Sequence, residues 1–308
     1  MIAALELDVE RAAVRDAVAA WCRERGTLAF ERARWKELAD LGVLSAGADG
    51  ESGARELVAT CEALGAAATP GPLLETVIAL RLLPEPERAA LAAGAAIVSL
   101  GEPPLLPFAP IADCFVALEG ERAFRAQPAG AIRAVDTLAG DIWGRVTLER
   151  GPELPGAAAA LAAGRLAGAA LLAAAGRRAL EAAAEHARTR KQFGRAIGEF
   201  QAVAHPLADV WIRISAAEML ARAAAQHADL VVPEAPALAA AAWLSARRAA
   251  LTAALRAHQT FGAVGITLEG PVFHLTRRIR QWASLALGES AARARVAAHS
   301  GLAAEAAS

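Results

Sequence analysis

Residues 156–190 constrain the fold most. This alanine-rich run reads as one long helix, its charges concentrated late at Arg177, Arg178, Glu181 and Glu185. Alanine is the strongest helix former, so the run resists any strand assignment. The next helix starts near Gln201. Its Val203, Leu207, Val210 and Ile214 fall at i, i+4, i+7 and i+11, along one face. Pro206 sits early in that helix, where a missing amide costs least. A third helix covers residues 236–261 and a fourth follows Pro271. Long antiparallel helices with short connections make a bundle. The most membrane-like window, residues 156–176, is broken by Arg165 and poor in large apolar residues. It reads as a buried bundle helix, with no membrane span.

Ahead of the bundle the chain changes character twice. Over residues 5–25, Val9, Val14, Val18 and Trp21 recur at helical spacing. A second helix over 32–41 stops at Gly42, and residues 47–53 form a glycine-rich loop before a third helix over 54–64. Residues 69–72, TPGP, break the chain and open a helix over 73–83 with Pro72 in its first turn. Pro84 and Pro86 end it, and a short helix covers 87–93. Residues 95–100 are short and apolar, residues 103–110 read as a loop, and 114–118, 131–135 and 143–148 read as strands. The expected organisation is a helical domain over 1–94, a small β domain over 95–155 and a helical bundle over 156–308.

Net charge is −1 with no dominant basic patch, which argues against nucleic-acid binding. Cys22, Cys61 and Cys114 lie far apart and match no metal or redox spacing, and six scattered histidines offer no metal pair. The acidic, amphipathic start is unlike a signal peptide, so a reducing cytoplasmic setting is expected, with no metal site.

Two stretches carry chemistry. In residues 187–209, ARTRKQFGRAIGEFQAVAHPLAD, Arg188 and Arg190 end a helix, Arg195 follows across Phe193-Gly194, and Phe200-Gln201 opens the next helix. On composition alone, capping by the arginines is the favoured reading, with an anion site at the new helix start the other. In residues 258–278, HQTFGAVGITLEGPVFHLTRR, glycines permit close backbone approach to a ligand, though alone they describe a helix stop and a turn. Together the two stretches resemble the acyl-CoA dehydrogenase family, whose pattern is R-x-x-F-G-x-x-I-x-x-F-Q followed by Q-x-x-G-G-x-G. WKELADLGVL, from Trp35, resembles the family's N-terminal helices.

The resemblance implies a mainly α fold: an N-terminal helical domain, a small β domain, here abbreviated, and a C-terminal four-helix bundle. It implies FAD as cofactor and an acyl-CoA substrate dehydrogenated at Cα and Cβ. Arg190, Gln192 and Phe193 fall where the family contacts the FAD of a neighbouring subunit, with Phe200 and Gln201 adjoining. Gln259, Gly262 and Ala263 fall on the loop meeting the FAD pyrophosphate and adenosine, Ala263 replacing a glycine. FAD between subunits implies a homo- or hetero-oligomer, a dimer or tetramer.

Two departures stand out. The family's T-E-x-x-x-G-S-D segment, which holds the flavin ring, has only SLGEP at 99–103 as its nearest counterpart. The base is also displaced. One family position aligns with Ala286 or Leu287, followed by Gly288, leaving Glu289 as the nearest candidate base. Its bland alternative is a surface carboxylate opening the last helix. The other family position falls near Gly164, and no carboxylate follows in that helix before Glu181. Three functions compete: an active dehydrogenase using Glu289, the base-lacking subunit of a heteromeric complex, and a helical scaffold that binds no flavin.

Overall fold

The computed structural model describes residues 7–25, 29–48, 53–137, 140–285 and 287–301. Five helices come first: α1 (Val9–Arg25), α2 (Arg32–Asp40), α3 (Ala54–Ala66), α4 (Leu73–Ala79) and α5 (Glu87–Ala92). The strands are β1 (Val98–Gly101), β2 (Leu105–Pro107), β3 (Cys114–Glu119), β4 (Arg122–Pro128), β5 (Arg133–Val135), β6 (Trp143–Arg145) and β7 (Leu148–Leu154). The long helices are α6 (Ala157–Thr189), α7 (Gln201–Asp229), α8 (Ala235–Phe261), α9 (Phe273–Ser284) and α10 (Glu289–His299). A small ribbon, β8 (Lys191–Gln192) with β9 (Arg195–Ala196), joins α6 to α7. The mainly helical fold with a small β portion agrees with expectation. Leu5, Ala286 and residues 49–52 of the expected glycine-rich loop lie outside the described residues.

The alanines explain the bundle. Ala167, Ala170, Ala175 and Ala179 of α6 and Ala242, Ala246, Ala250 and Ala253 of α8 are all buried. Small side chains let helix axes approach closely, at the cost of little apolar area per residue. The large plug is Trp243, fully buried against Gly168, where an added Cβ would press on its ring. Gly65 plays the same part where α3 crosses α6: a side chain there would overlap the Leu171 backbone. One continuous core runs from Val18 in α1 to Ala292 in α10, so the helical segments and the first sheet are not packed independently. The membrane-like helix α6 is long and apolar enough to cross a membrane, yet most of its apolar window is buried inside the fold.

The middle of the chain is richer than its pattern suggests. It forms a four-stranded sheet in the order β1-β3-β4-β7 and a three-stranded sheet in the order β2-β6-β5. A second small cluster, including Leu106, Phe115, Ala126 and Val146, packs there. The unread strands β2, β4 and β7 carry Pro, Gly and charge. Residues 103–110, expected as a loop, contain β2. In β7 the sequence LERGPEL is almost wholly exposed, and cross-strand pairs hold it: Arg122 with Glu153 and Arg150 with Glu119. Both arginines also lie over the Phe124 ring. Pairing and cation–π contact replace apolar alternation there. Two prolines differ slightly from expectation. Pro72 precedes α4 as its N-cap, and Pro206 lies inside α7 beyond the free first turn.

Candidate functional site

Helices α6 and α8 run alongside each other, and their C-terminal ends meet. His186, one turn before the end of α6, stacks on Phe261, the last residue of α8, with ring centroids 4.4 Å apart. This contact brings the 187–209 and 259–265 stretches to one end of the bundle. Burial, then the positive charge of Arg190, holds His186 below its ordinary range.

Every expected cofactor residue is placed at this end. Arg190 is the C-cap of α6 and is exposed, with no ion pair among the described residues. Gln192 bonds back to the Lys191 carbonyl at 2.8 Å. Phe193 is 93% exposed and has a positive φ of 52°, both costly for an aromatic residue. It meets Phe200 edge-on at 6.2 Å, and the Arg195 guanidinium lies 4.0 Å over the Phe200 ring. Gln201 opens α7 and is exposed, as is Gln259 near the end of α8. Gly262 has a φ of +61° and open space where a Cβ would sit; Ala263 follows, exposed. The donor set is therefore the exposed Arg190 guanidinium and the exposed Gln201 and Gln259 amides, with Gln192 turned onto its neighbour's carbonyl, around an outward-facing aromatic ring. That chemistry fits the phosphates and ring of a dinucleotide held against a second surface. The residues present fit FAD.

The other half of the family's site looks different. Arg165 of α6 is fully buried, and its guanidinium donates to the carbonyls of Leu287 (3.0 Å) and Gly288 (3.1 Å) and to Glu121 (2.7 Å). The two places where the resemblance puts a base are near Gly164 and at 286–287, and Arg165 bonds from beside the first to the Leu287 and Gly288 carbonyls at the second. Gly164 itself packs on Ile78. Glu289 begins α10 and lies between Arg247 and Arg293. Hydrogen bonds from Arg293 and Arg247 outweigh desolvation and hold its carboxyl below the ordinary range. It is not among the residues lining the seam that contains Leu285 and Leu287.

A carboxylate the sequence reading passed over does line that seam. Leu74, Glu75, Ile78, Leu100, Gly101, Glu102, Leu118, Leu285 and Leu287 enclose a space of about 20 Å³. Glu75 is 4% exposed. Burial pushes its carboxyl up to about 8, against the pull of its own backbone N–H and with a further push from Asp141. The signal was available: Glu75 is the lone charge in residues 70–80, a run that is otherwise uncharged and mostly apolar. Trp243 and Trp282 are core residues, whereas Trp211 is 52% exposed beneath the Arg177 guanidinium.

Comparisons with known proteins point to one family and one fold. A family model described as acyl-CoA dehydrogenase, C-terminal domain, matches residues 154–302. The chain is 34% identical over 241 residues to acyl-CoA dehydrogenase IpdE2 of Mycobacterium tuberculosis, covering 72% of the chain and 70% of that relative. Its fold is similar to a chain of the ChsE4–ChsE5 complex from Mycobacterium tuberculosis, with a TM-score of 0.80 at 23% identity, covering 98% and 99% of the two chains. PigA with FAD and proline gives a TM-score of 0.81 at 20% identity, covering 96% and 99%.

Proposed function

The chain belongs to the acyl-CoA dehydrogenase family, and from that premise we propose that it is the flavin-clamping subunit of an oligomeric, FAD-dependent acyl-CoA dehydrogenase. One observation carries the reading: the Arg190–Phe193 turn and the Gln259–Ala263 loop meet at one bundle end through His186 and Phe261. Arg190 would hold phosphate by bidentate hydrogen bonds. Gln192, Gln201 and Gln259 would satisfy the remaining oxygens, and Gly262 would let the backbone approach. Phe193 would be covered by the neighbouring subunit and the cofactor, which accounts for its exposure in the single chain.

Bound FAD supplies the hydride acceptor for the β-carbon of an acyl thioester. The chain's own part is to hold the nucleotide end and to wall off the acyl seam with leucines. Neither family base position carries a carboxylate, since Gly164 and Leu287 stand there or beside it. The likeness to a chain from a two-component complex favours a heteromeric partner.

The test is flavin content. The protein isolated in its native assembly is expected to be yellow, with one FAD per site. A colourless protein that takes up no FAD on reconstitution, alone or with its co-expressed neighbour, overturns the reading in favour of a flavin-free scaffold.

A further inference from the structure

We propose that Glu75, at the start of α4, accepts the α-proton of the acyl thioester. This rests on the dehydrogenase reading above and supplies the group that reading leaves unnamed.

Position comes first. The lining of the seam places Glu75 with Leu285 and Leu287, which lie beside and at the base position of 286–287 that the family resemblance implies. The base is thus replaced from the facing wall: α4 provides the carboxylate that the α9–α10 connection lacks. Leu74, Ile78, Leu100 and Leu118 make most of the rest of the seam apolar, and an acyl chain would enter by parting these side chains. A water-poor surround of this kind is what a carboxylate needs to act as a general base near neutral pH.

The other carboxylates nearby are committed. Glu121 bonds Arg165 and Arg295, Glu289 bonds Arg247 and Arg293, and Asp141 pairs with Arg278. Glu102 lines the seam but is exposed in the turn after β1. Glu75 alone of these is buried with no ion pair among the described residues. It sits in the first turn of α4, where its own backbone N–H bonds the carboxylate.

The step balances. The Cα–H bond breaks and its proton passes to a Glu75 carboxylate oxygen. The electron pair left at Cα forms the new double bond as hydride leaves Cβ for the acceptor already named. The products are an α,β-unsaturated thioester and neutral Glu75, which then releases its proton to solvent.

The charged groups around Glu75 set its pH dependence. Burial dominates and the Asp141 charge adds to it; Arg278 is occupied by Asp141, and Arg165 by Glu121 and the two carbonyls. With the carboxyl at about 8, the basic form grows as pH rises through that value, so proton abstraction should rise and level off above it. Stability should move the other way. Between 4.5 and about 8 the unfolded chain has released a proton that the folded chain keeps, so stability falls with rising pH across that window. Glu75→Gln should remove this fall.

The test uses the flavin-loaded assembly, with butanoyl-, octanoyl- and hexadecanoyl-CoA as probes in deuterated water. Deuterium incorporation at Cα is read by mass spectrometry. Glu75→Gln is expected to lower exchange roughly 100-fold or more while FAD content stays the same, and Glu75→Asp to lower it less. Independently of turnover, a buried-acid carbonyl band should titrate near the predicted pH in infrared spectra and vanish in Glu75→Gln. Exchange retained in Glu75→Gln but lost in Glu289→Gln overturns the proposal. So does exchange retained in both, which assigns the base to the partner. No exchange with any probe in the unaltered protein, with FAD bound, overturns the dehydrogenation reading itself. Missing FAD overturns the clamp.

Discussion

Replacing Asp141 with alanine is expected to destabilise the fold by about 3–5 kcal/mol, lowering the melting temperature by roughly 5–10 °C. The Asp141 and Arg278 side chains are 3% and 4% exposed and ion-paired with each other, joining the segment just ahead of β6 to α9. Burial raises the Asp141 carboxyl even against Arg278, and one of its oxygens, together with the Arg278 Nε, has no hydrogen-bond partner among the described residues. The pair is therefore costly to bury and more costly to break. Removing only Asp141 strands a guanidinium in the interior. Changing both, with Asp141→Leu and Arg278→Met, should recover most of the loss, since apolar replacements of similar volume avoid desolvation. Urea denaturation of the three variants checks this. Equal stability of Asp141→Ala and the unaltered protein would mean that the charge finds water.

Arg165→Met is the second large effect. It keeps the stem that packs in α6 and removes all three hydrogen bonds to Leu287, Gly288 and Glu121. Two buried carbonyls lose their donors, and Glu121 keeps only Arg295. The expected cost is about 3 kcal/mol. The loss should be local before it is global: the connection from α9 to α10 frees from α6, so amides from 287 into α10 exchange faster with solvent than those of α8. Hydrogen exchange followed by mass spectrometry reads this directly. Unchanged protection there would show that packing of Leu287, and not the clasp, holds the connection.

Sequence and structure agree where local chemistry decides the outcome. The alanine-rich periodicity of α6, α7 and α8 fixes helices whatever surrounds them, and the glycine after α8 marks its end. The turn residues Arg190, Gln192 and Phe193 were legible because their order along the chain is itself the pattern. What escaped depends on partners far away in the chain. The strand β7 is charged and carries glycine and proline, and it exists because Arg122, Glu119 and Phe124 meet its Glu153 and Arg150 across the sheet. Arg165 reads as a flaw in an apolar helix until Leu287 and Gly288 are seen to need its donors. Glu75 reads as one polar residue in α4 until the sheet and the α9–α10 connection close over it. Burial of a charge is a tertiary fact: a lone charge in an apolar stretch marks each residue, and only the packed fold gives it a role.

The central claim is that the bundle end carrying Arg190 and Phe193 grips the nucleotide part of FAD. It is tested most directly by the FAD dissociation constant of Arg190→Ala, measured by fluorescence titration of the apoprotein assembly. Loss of a charge-assisted, bidentate phosphate contact is worth roughly 1.5–3 kcal/mol. The expected result is therefore binding weakened about 10- to 150-fold, with the fold and oligomeric state intact. FAD bound as tightly by Arg190→Ala as by the unaltered protein would contradict the clamp.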